Sequence, residues 1–179
     1  MIFNETRLKG AYIISPQVEE EAEGFVTSTF NKKEFAHHGL NSTIVQCSIS
    51  HNKKRGTFRG MRFQAPPFED EKIIRCLRGA ILCVLVDLRS RSDTFKENVQ
   101  VELSEDNNFM LYVPKSFALG FLVLRDNTQV LYQMTEYDKP RYTWGFRYDD
   151  PAFGISLPFD VTTISEEDKS YPDLYLLPA

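Results

Sequence analysis

Arginine is the residue best placed for chemistry in this chain. Between Lys53 and Arg91 there are ten basic residues (Lys53, Lys54, Arg55, Arg59, Arg62, Lys72, Arg75, Arg78, Arg89 and Arg91) against four acidic ones (Glu69, Asp70, Glu71 and Asp87), within a chain of net charge -4. A guanidinium offers paired N–H donors to phosphate oxygens, so such a stretch suits a phosphate or diphosphate. Several of these residues stand between apolar neighbours at strand spacing, which aims them at a polar cavity or at its rim. Histidine is scarce. His37, His38 and His51 are the only three, and none follows residue 51. A histidine-lined metal site needs about three converging imidazoles and a carboxylate. We therefore expect no metal or other cofactor, and surface or capping roles for the three histidines. Cys47, Cys76 and Cys83 are odd in number and form no CxxC. They are expected as buried or half-buried thiols of a reducing cytoplasm.

The elements that must position these groups read mostly as strands. The chain has 179 residues, enough for one well-buried core, and no Pro- or Gly/Ser-rich linker divides it, so one domain is expected over residues 1–179. Short β-like runs cover Ala11–Ser15, Phe25–Phe30, Thr43–Ser50 and Gly56–Gln64. Lys72–Leu77 and Ala80–Asp87 flank a turn at Arg78-Gly79. Alternation from Asn98 to Leu103, then Phe109–Val113, Ala118–Leu124 and Thr128–Met134, complete the series. Two short helices are predicted, one capped by Asn31 over Lys32–His38 and one capped by Ser165 over Glu166–Lys169. Many short strands at regular spacing predict an all-β sandwich or closed jelly-roll barrel with short peripheral helices. The mouth of such a barrel is a natural small-ligand site. The negative net charge argues against nucleic-acid binding. No run of about 18 apolar residues predicts a membrane span. The N-terminal MIFNETRLKG lacks the apolar stretch of a signal peptide, so a cytoplasmic protein is expected.

The stretch Arg59-Gly60-Met61-Arg62-Phe63-Gln64-Ala65-Pro66-Pro67 resembles the RGLHFQ-x-P signature of the dTDP-4-dehydrorhamnose 3,5-epimerases. Further motifs follow in order. Lys72-Ile73-Ile74-Arg75 through Gly79 resembles K-L-V-R-x-x-x-G, and Val86-Asp87-Leu88-Arg89 with Ser92 to Phe95 resembles V-D-L-R-x-x-S-x-T-F. Val113-Pro114 with Phe117 to Phe121 resembles I-P-x-G-F-A-H-G-F, and Leu131-Tyr132 with Thr135 and Tyr137 resembles L-Y-x-x-T-x-Y. Asp149-Asp150-Pro151, Gly154-Ile155, Leu157-Pro158 and Ile164 to Asp168 match the C-terminal pattern.

The resemblance implies a cupin-type jelly roll, a homodimer, and a dTDP-4-keto-6-deoxy sugar as ligand, without a metal. The family inverts C3 and C5 beside a C4 ketone. That chemistry requires a base, a cation near the enolate oxygen, and an acid on the opposite face. Carried over, Lys72 is the cation, Tyr132 the acid and Asp168 the aspartate of a His–Asp dyad. Arg59, Arg62, Gln46, Phe25, Tyr137 and Lys72 are the implied substrate-binding residues. Three positions depart from the pattern. The base histidine is Arg62, a second histidine is Leu119, and the arginine of an early R-G-x-F motif is Glu23. Arginine stays protonated at neutral pH and cannot act as that base.

Strand parity puts Arg62 with Gly60 and Gln64, opposite Met61 and Phe63. A guanidinium turned into the barrel needs an anionic partner, and an Arg62–Asp168 ion pair is the expected replacement for the dyad. Two functional readings follow. One is an epimerase-like protein with altered or impaired C3/C5 chemistry on a 4-keto nucleotide sugar. The other is a non-catalytic nucleotide-sugar-binding or scaffold protein of a surface-polysaccharide pathway.

Overall fold

The computed structural model describes residues 1–174; residues 175–179 of the expected domain lie outside the described residues. Two six-stranded sheets face each other. The first is built from β1 (Ile2–Glu5), β2 (Tyr12–Ser15), β5 (Gln46–Asn52), β7 (Lys72–Arg78), β10 (Met110–Val113) and β12 (Thr128–Met134), in the order β1-β2-β10-β7-β12-β5. The second contains β6 (Thr57–Gln64), β8 (Ala80–Asp87), β9 (Asn98–Ser104), β11 (Phe117–Val123) and β13 (Thr143–Gly145), in the order β13-β6-β11-β8-β9. β14 (Thr163–Ile164) adds to β6 in parallel; the other ladders are antiparallel. A separate small hairpin joins β3 (Glu19–Glu21) and β4 (Gly24–Val26). This is the cupin-type double-stranded β-helix expected from the sequence.

The residue patterns explain the layers. β8 and β11 lie inside their sheet and are covered on both faces, so Ala80–Asp87 and Phe117–Val123 read as apolar runs instead of alternating. Between the sheets, Leu85, Leu119 and Phe121 pack with Ile74, Cys76 and Val130. The outer face of the second sheet carries Phe58, Met61, Val84, Val86 and Leu122, and the C-terminal segment covers it through Phe146 and Phe153. On the first sheet, Ile14, Ile73, Met110 and Tyr112 are covered by Phe35 of helix α1 (Lys32–His37). Asn31 caps α1 by accepting the N–H groups of Lys33 and Glu34. Ser165 caps α2 (Glu166–Ser170) by accepting the N–H of Asp168 at 3.0 Å. No helix among the described residues is long and apolar enough to cross a membrane.

Three expectations are corrected. The strand predicted over Phe25–Phe30 stops at Val26, because Thr27 and Ser28 turn the chain through side-chain bonds to the carbonyls of Gln17 and Phe30. β1, β3, β13 and β14 were not expected at all. Cys47 is exposed, whereas Cys76 and Cys83 are buried. The reason is an inverted alternation on the edge strand β5. Gln46, Ser48 and Ser50 point into the barrel, while Cys47, Ile49 and His51 point out, leaving Ile49 63% exposed.

Candidate functional site

Between the sheets lies a cavity of about 560 Å³. One wall is a grid on three paired strands. Gln46, Met134 and Lys72 form one row across β5, β12 and β7; Ser48, Tyr132 and Ile74 form the next; Ser50, Val130 and Cys76 form the third. Lys72 and Tyr132 are thus diagonal neighbours on one face, about 7 Å apart at their Cα atoms. Arg59, Arg62 and Gln64 of β6 and Leu119 and Phe121 of β11 line the cavity from the other sheet.

Both arginines reach it because β6 is bulged. Arg62 pairs with Leu119 and Arg59 with Phe121, so Gly60 and Met61 together oppose Gly120 alone. Plain alternation would send Arg59 to the outer face; the extra residue returns it to the face of Arg62. Gly60 makes the bulge feasible. Its φ is +106°, and a Cβ there would stand 2.6 Å from the Leu119 carbonyl oxygen and 2.7 Å from Gly120 Cα.

The expected ion pair is present. Arg62 Nε donates to Asp168 Oδ1 at 2.7 Å, and its Nη2 donates to Glu167 Oε2 at 2.8 Å. Gly60 N–H donates to Asp168 Oδ2 at 3.2 Å, so both oxygens of this carboxylate, in a residue only 1% exposed, are occupied. Tyr171 donates its hydroxyl to Glu167 Oε1 at 3.2 Å, and its ring lies 5.9 Å from the Arg62 guanidinium. Burial is the strongest single influence on Arg62 and opposes its charge. Asp168, Tyr171 and Glu167 together outweigh burial and raise its pKa above the ordinary arginine value. Arg62 is therefore a permanent cation that clamps α2 against β6.

Lys72 Nζ donates to Asp70 Oδ1 at 2.6 Å. Tyr132 is held above its ordinary pKa chiefly by burial, with the buried Cys83 adding to the rise and Arg59 and Arg62 opposing it, so its hydroxyl stays protonated through neutral pH. Arg59 donates through Nε to Asn52 Oδ1 at 2.7 Å, leaving its terminal nitrogens without a hydrogen-bond partner among the described residues. Gln64 ties the mouth together, donating to the carbonyls of Phe68 and Tyr137 and accepting the N–H of Lys139.

The basic surplus of the sequence does not gather here. Arg59, Arg62 and Lys72 face Asp70, Asp138, Glu167 and Asp168, so the lining carries one more negative than positive charge. Arg89 is instead spent on Asp87, and Arg55 stacks on Phe159 at 3.7 Å. Of the three cavity cations, Arg59 has no ion-pair partner among the described residues. Of the expected site residues, Tyr132, Lys72, Asp168, Arg59, Arg62 and Gln46 converge on the cavity. Phe25 and Tyr137 do not line the cavity of this chain. Phe25 is 48% exposed on the separate hairpin, and Tyr137 is 56% exposed and turned outward, with only its carbonyl tied to Gln64. No histidine lines the cavity, and no group of three or more His, Cys, Asp or Glu side chains among the described residues is placed to hold a metal. Sequence reasoning missed Ser48, Ser50, Gln64, Asp70, Asp138 and Glu167. The inverted alternation Gln46-Cys47-Ser48-Ile49-Ser50 was a readable sign that the inward face is polar.

The profile of the dTDP-4-dehydrorhamnose 3,5-epimerases matches residues 5–175. The dTDP-4-dehydrorhamnose 3,5-epimerase of Methanothermobacter thermautotrophicus is 39% identical over 175 residues, 96% of this chain and 94% of the relative. The crystal structure of the Bacillus anthracis dTDP-4-dehydrorhamnose 3,5-epimerase with TDP and PPi bound superposes with a TM-score of 0.93 at 35% identity, covering 97% of this chain and 99% of that one. The Legionella pneumophila dTDP-6-deoxy-D-glucose-3,5-epimerase, solved in complex with dTDP-4-keto-L-rhamnose, gives 0.93 at 29% identity over 99% of this chain and 94% of that one. Profile, sequence and fold agree over nearly the whole length, and the chain belongs to the dTDP-4-dehydrorhamnose 3,5-epimerase family.

Proposed function

We propose that this chain, acting as one domain, binds a 4-keto-6-deoxy nucleotide sugar in its barrel and has lost ordinary C3/C5 epimerisation. Arg59 takes the diphosphate, and the keto sugar lies against Lys72 and Tyr132. The observation that carries the reading is the Arg62–Asp168 pair at 2.7 Å. It fills the base position with a group that cannot accept a proton, while Lys72 and Tyr132 still face the cavity. The ligands named for the Bacillus anthracis and Legionella pneumophila structures support the choice of ligand class. The protein works without a metal or other cofactor, in the cytoplasm and as a homodimer. Sedimentation at twice the chain mass is the expected result for the dimer.

Calorimetry with dTDP-4-keto-6-deoxyglucose tests the binding. Arg59→Ala is expected to weaken affinity about 10- to 100-fold, the range for losing a charged hydrogen bond. Absence of binding to the unaltered protein sinks the reading. The second reading, a non-catalytic nucleotide-sugar binder or scaffold in a surface-polysaccharide pathway, is favoured by the occupied oxygens of Asp168. It predicts binding with no proton exchange at C3 or C5.

A further inference from the structure

The first sheet is covered over only part of its outer face. One row of residues crosses that face, with Ile14 on β2, Met110 on β10, Arg75 on β7, Leu131 on β12 and Ile49 on β5. At one end Ile14 and Met110 are buried beneath Phe35 of α1. At the other end Ile49 stands exposed on the edge strand, with Cys47, His51 and Gln133 around it, so this part of the face is apolar and carries no carboxylate. Arg75 lies at the boundary. Its Nη2 donates to Asn108 Oδ1 at 2.7 Å, but its Nε is buried and bonds to nothing among the described residues. Burial draws its pKa below the ordinary arginine value, and no carboxylate opposes the fall. An enclosed guanidinium without an anion is costly to keep. The β3–β4 hairpin, outside both sheets, has the complementary character. Glu19 pairs with Val26, and Glu21 lies two residues along the same strand, so the three side chains share one face. Val26 is 85% exposed, both glutamates are exposed, and neither glutamate has an ion-pair partner among the described residues.

We propose that the uncovered face around Arg75 is the surface on which a second copy of this chain docks, with that copy's Glu19, Val26 and Glu21 lying on it and its glutamates meeting the guanidinium. The inference rests on the homodimer reading above and assigns its interface. A strip of acid, apolar and acid side chains complements an apolar face that holds one bare cation. Two-fold symmetry makes the contact reciprocal, so each copy gives a hairpin and receives one. Covering Ile49, Leu131 and Val26 removes apolar surface from water and drives the association. The ion pair supplies the missing anion of Arg75 and fixes how the copies align.

The test is sedimentation equilibrium over a concentration series, with circular dichroism to check folding. The unaltered protein should dimerise. Arg75→Glu should raise the dimer dissociation constant at least about 30-fold, as expected when an interfacial charge pair becomes a repulsion. Glu19→Lys with Glu21→Lys, on a hairpin outside the core, should raise it about 10-fold. All three substitutions in one chain should return it to within a few-fold of the unaltered value. Should Arg75→Glu fail to fold, Arg75→Gln takes its place; dimerisation must still weaken, and the hairpin substitutions must then lose most of their effect. A dimer indifferent to Arg75 or to the hairpin glutamates overturns this interface and leaves the homodimer reading standing. Weakening by each change without recovery in the combined chain shows that the hairpin is not the occupant, and overturns the proposal. A monomeric unaltered protein sinks the homodimer reading itself and leaves the face to another occupant.

Discussion

An arginine at residue 62 reaches farther than a histidine would and keeps its proton. Its Nε bonds Asp168 and its Nη2 bonds Glu167, so one side chain engages two successive residues of α2. An imidazole could orient against one carboxylate and still exchange a proton; a guanidinium makes the same carboxylate a structural anchor. The stability at stake is that of a buried carboxylate losing its cation. Arg62→Leu would leave Asp168 with the Gly60 N–H as its remaining donor among the described residues. We expect a loss of about 2–3 kcal/mol, below the range for fully buried pairs because the Arg62 side chain is 37% exposed. Urea denaturation checks the value, and an unchanged midpoint would mean that the clamp contributes nothing.

At the scale of elements, the bulge of β6 and the cap of α2 bring the site together. Asp168 sits three residues after Ser165, so the cap that starts the helix also sets the carboxylate opposite β6. Gly60→Ala would combine a positive φ with a clash against the backbone of β11. About 3 kcal/mol of destabilisation is expected from that strain, with weaker ligand binding as Arg59 loses its place. Thermal unfolding with calorimetry measures both, and an unperturbed protein would contradict this role for the bulge. These elements also show how far the sequence could be read. β8 and β12 were legible residue for residue, because an apolar run or a strand between turn residues marks its own limits. Both helices were legible through Asn31 and Ser165, since a cap is a local signal. The short strands β1, β13 and β14 were not, because two to four residues carry no period, and β13 and β14 gain their ladders only from the distant β6. The Arg62–Asp168 pair followed from parity and family position. The bulge did not, because it depends on the pairing of β6 with the distant β11.

For the molecule as a whole, the two sheets share one apolar core, and the polar cavity is cut into it beside Tyr132 and Phe121. A second polar cluster closes the end of β8. Asp87, 0% exposed, accepts from Arg89 Nη2, Ser92 Oγ and Thr94 Oγ1, each at 2.7 Å. Burial alone would raise its pKa, but these hydrogen bonds outweigh burial and hold it well below the usual carboxylate range. A depressed folded-state pKa stabilises the fold above the unfolded value of about 4, and that contribution is lost as pH falls below it. Asp87→Asn should therefore be less stable at pH 7 and show a flatter decline below about pH 4 in urea titrations; parallel curves would refute the assignment. The account as a whole turns on whether the fold retains its ligand while Arg62 leaves the base position without a proton acceptor. The most direct measurement is the NMR-determined product from dTDP-4-keto-6-deoxyglucose in D₂O, for the unaltered protein and for Arg62→His. The expected result is no doubly inverted sugar from the unaltered protein, and a gain of at least about 100-fold in exchange at C3 and C5 for Arg62→His. Deuterium at both C3 and C5, with a doubly inverted product from the unaltered protein, would contradict the account.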